Sequence, residues 1–440
     1  MRMLFGKKTI AESDICSQVP EKTKYIFLIS FAFVLLILAF VFNTPSELIR
    51  GSLIILSSPA NLLTDYFALA NVGSALLNAS VMAFFSIGTV AISRAKISGS
   101  VLAAIFTVTG FSLFGKNLYN SIPIVLGVIC FGKLMRSSLR HHLPAAFFGT
   151  ALGPLVSEFS FNLDLPLGCG IALGFLIGFF TGLVLPALAA TFLRFHRGFN
   201  LYNIGFTAGI IGMFFVAILR SFGRSVDAVY LLSSGNNTAF ILILYPMFIA
   251  MFLLGLAYNQ WSFKGLGRIA KCSGKLTTDF LSVSGFGATL INMSFLGAFA
   301  TSYVLLVGGE LNGPVIGGIF TVVGFGAVGK HLRNVIPVVL GVFLVGLCNK
   351  EGIYSTPAVI AALFGTTLAP VSGHYGPVAG IIAGALHMTM TMNISYLHAG
   401  MNLYNNGFSG GFVAAALVPI FHKINEIIKL NSKPARTDDE

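Results

Sequence analysis

The chain has 440 residues, of which 55% are hydrophobic and only 10% are charged. Because soluble domains carry about 25% charged residues, this composition excludes a soluble globular enzyme and indicates an integral membrane protein. The formal net charge is +12. Its basic residues lie in short loops and near both ends, as in the cytoplasmic flanks of membrane helices, so a nucleic-acid-binding protein is excluded as well.

Each membrane helix needs roughly 20 apolar residues, so a chain of this length with short loops holds on the order of 10 to 14 crossings. The first apolar run follows a polar leader, residues 1–24, with no small-residue cleavage site after it, which predicts a membrane helix rather than a removable signal peptide. The basic flanks predict that both termini are cytoplasmic, in the inner (plasma) membrane. The runs long enough to cross are 25–43, 66–93, 118–135, 167–192, 240–257, 285–308, 335–348 and 376–394.

An internal repeat is the most informative feature of the sequence. FTVTGFSLFGKNLYNSIPIVLG (106–127) and FTVVGFGAVGKHLRNVIPVVLG (320–341) share 14 of 22 positions. The segments 145–154 and 361–370 also match, as do 196–209 and 398–411. The chain is therefore a duplication. The divisions are a leader at 1–24, a first membrane repeat at 25–220, a linker at 221–238, a second membrane repeat at 239–421 and a C-terminal tail at 422–440.

The charges of matched loops favour inverted rather than parallel halves, because inverted copies present equivalent loops to opposite faces. Arg94 and Lys96 in the first half correspond to a second-half loop that carries Glu310. Two further loop pairs differ in the same way, and the exception is Arg220 with Arg224. The basic loops of those two pairs are 133–140, opposite the nearly neutral 350–351, and 264–275, opposite a stretch with Arg50 alone.

Four apolar segments are short and interrupted by Gly, Pro and polar residues, and their positions match between the halves. Irregular backbone at membrane depth is tolerated only where it is buried in protein or lines a cavity, so paired segments of this kind indicate broken or re-entrant helices along a solute pathway. The segments are 97–115, 143–158, 311–329 and 357–373.

The first candidate motif is FTVxGFxxxGKxLxNxIP, at 106–123 and 320–337. Its glycines and its Asn-x-Ile-Pro allow a half-helix to end, turn and restart. A lysine here either binds an anion or extends to the membrane interface, and both interpretations stay open. The candidate solute-binding residues are Phe106, Thr107, Lys116 and Asn120 in the first copy, and Phe320, Thr321, Lys330 and Asn334 in the second.

The second candidate motif is HxGxNLYNxGF, at 196–206 and 398–408. Amide and phenol groups in hydrocarbon need polar partners, so these residues form either a helix-packing contact or a site for a polar solute. The candidates are Asn200, Tyr202 and Asn203 with their counterparts Asn402, Tyr404 and Asn405.

Acidic residues inside the apolar body are candidates for ion coupling, because carboxylates in a membrane commonly bind cations or carry protons. They are Asp65, Asp279 and Glu158. Asp65 and Asp279 match each other and precede apolar runs, so helix N-capping explains them equally well.

No Walker A loop, HExxH or GxSxG motif is present, and the five scattered cysteines contain no CxxC pair. We therefore expect neither ATP-driven transport nor an enzyme, and no cofactor, bound metal or nucleic-acid partner.

On these motifs, the chain resembles an uncharacterised family of polytopic prokaryotic membrane proteins. It also resembles urea channels in having two halves with short helices and in the turn-like NLYNIGF (200–206) and NLYNNGF (402–408). The latter resemblance implies a pore whose aromatic slots are formed by Phe106, Phe111, Phe320 and Phe325, in which the repeat lysines have no obvious place.

These observations predict an all-α integral membrane protein of two homologous halves that moves a small polar or anionic solute across the bilayer. The expected site lies where the two broken-helix motifs meet, with H⁺ or Na⁺ coupling if the acids face it. A passive urea-channel-like pore is the first alternative, and a lipid-modifying membrane enzyme or scaffold is the second. The expected partners are the solute and the lipid bilayer, and self-association into a homo-oligomer stays open.

Overall fold

A computed structural model describes residues 19–60, 63–224, 226, 229–276, 278–348 and 350–431. Most of the predicted leader (1–18), half of the predicted tail (432–440) and part of the linker therefore lie outside the described residues. Within them the chain is helical, with no β-strand.

Ten α-helices are found in the part of the first half that the structure describes: α1 (Glu21–Phe42), α2 (Pro45–Ser57), α3 (Tyr66–Leu69), α4 (Val72–Ile92), α5 (Gly99–Phe111), α6 (Leu118–Leu134), α7 (Leu143–Gly149), α8 (Gly153–Phe161), α9 (Leu167–Phe195) and α10 (Asn203–Ser221). The second half contains nine in its described residues: α11 (Asn237–Tyr258), α12 (Leu266–Lys271), α13 (Phe280–Leu306), α14 (Gly313–Phe325), α15 (Leu332–Gly346), α16 (Thr356–Gly365), α17 (Ala369–Tyr375), α18 (Pro377–Ile394) and α19 (Asn405–Asn431).

Nine helical segments of the described chain are long and apolar enough to cross a membrane. They are α1, α4, α9, α10, α11, α13, the α16–α17 pair, α18 and α19. The predicted all-α membrane fold is thereby confirmed. The predicted runs omitted three of these segments. Helices α10 and α19 begin inside the polar NLYN motif, and the interruption lowers their local hydropathy. The α16–α17 pair corresponds to the segment 357–373, which was predicted to be too short to cross but is long enough as a continuous pair.

Two runs predicted to cross the membrane form shorter helices. The run at 118–135 becomes α6, with 17 residues, and the run at 335–348 becomes α15, with 15 residues. At a rise of 1.5 Å per residue these helices are roughly 22 to 26 Å long, less than the roughly 30 Å of a hydrocarbon core. The preceding helices α5 and α14 are shorter still, with 13 residues each.

The ends of the helices define two faces of the bundle. One face, which we call the basic face, carries Arg94 and Lys96 in the loop after α4. There the Glu21 carboxylate accepts a hydrogen bond from the Ile97 amide, and the Gly99 amide donates to Asp279. At the opposite face, the Asn43 side chain accepts from the Gly73 amide. Helix α4 therefore runs towards the basic face, whereas its counterpart α13 starts there and runs away from it. The halves are inverted relative to one another.

The two arginines that departed from the charge pattern have partners at the opposite face. Arg224 forms an ion pair with Asp164 at 3.1 Å. Arg220 donates a hydrogen bond to the Tyr396 carbonyl and stacks over the Tyr396 ring at 4.1 Å. Both arginines therefore remain exceptions to the charge pattern, and the inversion rests on the directions of the helices.

Helices α5 and α14 pack against each other at the centre of the molecule. They approach so closely that a Cβ added to Gly110 would lie 2.7 Å from the Gly317 carbonyl oxygen, and one added to Gly324 would lie 3.0 Å from the Ala103 carbonyl oxygen. The glycines that the sequence places in both copies are thus required by the contact between the halves. This contact brings the two copies of the first motif together.

Candidate functional site

The lysine-bearing turns after α5 and α14 have the same construction. The Asn78 side-chain amide, from α4, donates to the carbonyls of Ser112 at 2.7 Å and Lys116 at 2.8 Å. Its counterpart Asn292, from α13, donates to the carbonyls of Gly326 and Lys330 at the same two distances. The sequence pairs Asn78 with Asn292, but only the structure shows that these amides hold the backbone of each lysine in place.

The predicted solute-binding residues Asn120 and Asn334 lie inside these turns. Asn120 accepts from the Asn117 amide and donates to the Gly115 carbonyl at 3.1 Å. Asn334 accepts from the His331 amide and donates to the Gly329 carbonyl at 2.8 Å. Both side chains are therefore engaged in restarting the helix after the turn.

Lys116 and Lys330 are both completely buried, but their surroundings differ. The Lys330 ammonium donates to the Tyr202 hydroxyl at 2.5 Å and to the Thr366 hydroxyl at 2.6 Å, and it lies over the Tyr202 and Phe325 rings. The Lys116 ammonium lies 5.2 Å from the Phe111 ring centroid and makes no hydrogen bond within the described chain. An uncompensated ammonium in an apolar interior is costly.

The NLYN motifs of the two halves cross at the centre. The Asn200 amide donates to the Gly407 carbonyl at 2.9 Å, and the Asn402 amide donates to the Gly205 carbonyl at 3.1 Å. This reciprocal bonding places the rings of Tyr202 and Tyr404 side by side, with centroids 5.1 Å apart.

The remaining asparagines of these motifs pack against histidines. Asn203 bonds to His196, and Asn405 bonds to His398, each at 2.9 Å. Their amide groups also donate to carbonyls of α9 and α18. These asparagines therefore make the helix-packing contact that was one of the two interpretations of the motif, and Asn203 and Asn405 also line cavities between the halves.

The phenylalanines of the first motif fill the contact between α5 and α14. Phe106 and Phe320 meet edge to face at 6.5 Å, and Phe31 of α1 stacks on Phe106 at 4.5 Å. Both rings of the motif are buried. Beside them, the Thr321 hydroxyl donates to the Gly317 carbonyl at 2.8 Å, whereas the Thr107 hydroxyl makes no hydrogen bond within the described residues.

The matched acids cap helices of both halves. Asp65 accepts from the amide of Phe67 in its own half and from the amide of Gly313 at the start of α14. Asp279 accepts from the amide of Leu281 and from the amide of Gly99 at the start of α5. Each carboxylate thus caps one helix of its own half and accepts the first amide of a helix in the other half, beside the N-caps Ser98 of α5 and Asn312 of α14.

Glu158 lies apart from the matched acids. It is buried in α8, where its carboxylate accepts a hydrogen bond from the Asn162 amide at 2.9 Å.

A cavity of about 550 Å³ extends from the basic face to the tyrosine pair. Its residues come from both halves, as expected for a site between repeats. The mouth is formed by Ser100, His141 and Asp279, and the walls are largely apolar. Residues at the inner end include Ala103, Phe148, Tyr202, Phe325 and Tyr404.

A second cavity, of about 110 Å³, occupies the corresponding place towards the opposite face. It is lined by Pro357, Ile360 and Asn405, which are the repeat counterparts of His141, Pro144 and Asn203 in the larger cavity. The two cavities are therefore related by the same inversion as the halves.

Neither a curated protein nor a solved structure matches the chain. A family model described as a protein of unknown function, DUF1576, matches residues 44–221 and 258–423. These two ranges fall in the first and second halves and cover most of the sequence. The chain is therefore a multi-span helical membrane protein that belongs to the uncharacterised family DUF1576.

Proposed function

We propose that the protein transports a small anionic solute through a site between its two halves, centred on Lys116 and Lys330. The observation that carries the proposal is the burial of both ammonium groups with no carboxylate partner. Among the described residues, the ion pairs are confined to the ends of the bundle and include neither lysine. Positively charged hydrogen-bond donors that are surrounded by hydroxyl groups and aromatic rings are suited to bind an anion.

The position of the large cavity supports this proposal. It ends at the tyrosine pair, and the Lys330 ammonium bonds to one of those tyrosines. The loops that lead to the mouth residues Ser100 and His141 carry Arg94, Lys96, Lys133, Arg136 and Arg140, and these charges raise the local concentration of an anion at the basic face. The other interpretation, in which the lysines extend to the membrane interface, requires exposed ammonium groups, and these are fully buried.

The passive-pore alternative receives less support. A neutral solute has no use for two buried ammonium groups, and the rings of Phe106 and Phe320 pack against each other rather than facing an open slot.

Because Asp65 and Asp279 are occupied as helix caps, the proposal includes no coupling cation. We also propose that the basic face is cytoplasmic, following the positive-inside rule, and that the chain is a transporter rather than an enzyme.

Anion uptake by proteoliposomes tests the proposal. The purified chain is reconstituted, and influx of formate, acetate, nitrate and chloride is followed beside that of urea and glycerol. We expect flux of at least one anion in the native protein and its loss in the double variant Lys116→Met, Lys330→Met. The control Lys271→Met removes an exposed lysine of α12 and should leave flux unchanged.

Two results would overturn the proposal. One is anion flux that persists in the double variant, shown by size-exclusion chromatography and circular dichroism to be folded. The other is flux of a neutral solute alone, equal in the native protein and both variants, which would favour the passive pore.

A further inference from the structure

Two sets of three residues, equivalent by the internal repeat, surround the centre of the molecule. The first cluster is Thr107, Lys116 and Tyr404, and the second cluster is Thr321, Lys330 and Tyr202. Each cluster takes its threonine and lysine from one half and its tyrosine from the other. If the halves had the same conformation, the two clusters would make the same hydrogen bonds.

They do not. In the second cluster, the Thr321 hydroxyl donates to a backbone carbonyl, and the Lys330 ammonium donates to the Tyr202 hydroxyl. In the first cluster, all three side-chain polar atoms are buried and none has a hydrogen-bond partner in the described chain. The Thr107 and Tyr404 hydroxyls are neighbours, but the two do not meet the geometry of a hydrogen bond.

The difference does not come from a missing residue. Lys330 also donates to Thr366, whose hydroxyl donates to the Leu363 carbonyl at 2.5 Å. The repeat counterpart of Thr366 is Thr150, which is buried and donates to the Phe147 carbonyl at the same distance. The first half therefore has a hydroxyl prepared in the same way, and Lys116 does not bond to it. The contrast is one of conformation.

The two cavities related by the inversion also differ, in this case in volume. The one that reaches Tyr404 from the basic face has a volume of about 550 Å³, and its inverted counterpart has about 110 Å³. Tyr404 lines the larger cavity, as does Ala103, one helical turn before Thr107 on α5. Tyr202 of the second cluster also lines it, so the larger cavity reaches both tyrosines, and the unpartnered donors of the first cluster lie beside its inner end.

We propose that the first cluster is the anion-binding site of the state open to the basic face, and that the two clusters exchange arrangements during transport. In the alternate state, Lys116 bonds to Tyr404 and Thr150, Lys330 is released from Tyr202 and Thr366, and the cavity at the opposite face enlarges. The ligand is a monoanion, because the cluster offers one positive charge and hydroxyl donors. Its body is small and suited to apolar walls, as in a short monocarboxylate. The identity of the ligand rests on the proposed function.

The exchange is physically reasonable because the repeat supplies the same residues to both arrangements. Two conformations built from equivalent contacts differ little in free energy, so a ligand that binds one of them shifts the population readily. Breaking the Lys330 bonds while forming the Lys116 bonds leaves the number of charge-assisted hydrogen bonds unchanged.

Cysteine accessibility tests the exchange. Pro144 lines the larger cavity and its counterpart Ile360 lines the smaller one, so P144C and I360C are matched reporters. Each is placed in a background in which the five native cysteines are replaced by alanine. Labelling by a membrane-impermeant maleimide is measured in nanodiscs, where both faces are open to solvent. The readout is the ratio of the labelling rates at 144 and 360.

The two lysine variants should change this ratio in opposite directions. Lys330→Met removes the bonds that hold the observed state and should lower the ratio by about tenfold, whereas Lys116→Met removes those of the alternate state and should raise it by a similar factor. Shifts in the same direction, or no shift in either, overturn the exchange. If a lysine variant does not fold, Tyr202→Phe and Tyr404→Phe remove one hydroxyl each and should produce the same opposite signs.

Anion binding gives a separate readout. Acetate, formate and nitrate are each titrated against labelling of P144C, and protection that is present in the native background should disappear in Lys116→Met and persist in Lys330→Met. Protection lost equally in both variants overturns the assignment of the site. Opposite shifts of the ratio in a protein without anion flux refute the proposed function and leave the exchange intact. Anion flux with an unchanged ratio refutes the exchange and leaves the proposed function intact.

Discussion

Substitutions of Asp65 distinguish a helix cap from an ion-coupling residue. The fully buried carboxylate accepts hydrogen bonds from the amides of Phe67 and Gly313 on one oxygen, and from the amide and hydroxyl of Ser233 on the other, at 2.5 to 3.2 Å. Asp65→Ala leaves all of these donors without an acceptor. At about 1 kcal/mol net for each hydrogen bond, the expected loss in the free energy of unfolding is about 4 kcal/mol.

Asp65→Asn is the informative intermediate. It keeps one acceptor oxygen for Phe67 and Gly313 but presents an NH₂ group to two donors of Ser233, so the expected loss is about 2 kcal/mol. Ser233→Ala removes one hydrogen bond to the Asp65 carboxylate, at a cost of about 1 kcal/mol, and the bond from the half-buried Asn236 amide, which water can replace. The three variants therefore form a graded series in which the number of lost hydrogen bonds sets the order.

The series is measured by titrating the purified protein with sodium dodecyl sulfate in mixed micelles and following helix content by circular dichroism. Ion coupling predicts a different result for Asp65→Asn, namely native stability together with loss of cation-dependent flux. An Asp65→Asn variant within about 0.5 kcal/mol of the native protein would refute the capping explanation. Asp279→Asn is the matched test in the second half.

Two further predictions concern the packing and the turns. Gly110→Ala should lower the free energy of unfolding by about 1 to 3 kcal/mol, because the new Cβ meets the backbone of α14. The control Gly88→Ala, with nothing within 4 Å of the added Cβ, should be neutral or slightly stabilising. Both variants are measured in the same micelle titration. Asn292→Leu removes both bonds to the carbonyls of Gly326 and Lys330 and should cost about 2 to 6 kcal/mol. Retention of native stability by this variant would mean that the turn does not depend on the Asn292 amide.

Much of the fold follows from the repeat and the charges. The duplicated segments predict two halves. The uneven charges of matched loops predict their inversion, because basic loops prefer the cytoplasmic face of a membrane. The helices α10 and α19 escaped prediction because hydropathy averages over a window, and Asn203 and Asn405 lower that average at the helix starts. Their polar groups are satisfied by tertiary partners, which a window cannot represent.

The candidate site was predictable in its residues but not in its pairings. Repeat matching selects Lys116, Lys330, Tyr202 and Tyr404, since each has a counterpart in an apolar segment. That a lysine of one half meets the tyrosine of the other depends on how the halves cross, and no local pattern encodes it. The difference in hydrogen bonding between the two clusters could not be predicted from the sequence at all, because equivalent residues adopt different conformations.

The reciprocal capping by Asp65 and Asp279 also orders the events of synthesis. Helix α5 begins at Gly99, but the carboxylate that accepts a hydrogen bond from the Gly99 amide lies 180 residues later in the chain. As the chain leaves the ribosome, α5 enters the membrane long before this partner has been made, whereas Asp65 is already present when α14 emerges. The first half therefore depends on the second half for the hydrogen-bond acceptor at the start of α5. A ribosome stalled before residue 279 would hold a nascent chain whose α5 has its N-cap, Ser98, but no carboxylate for the Gly99 amide, and release of the full chain would be needed to lock the two halves together.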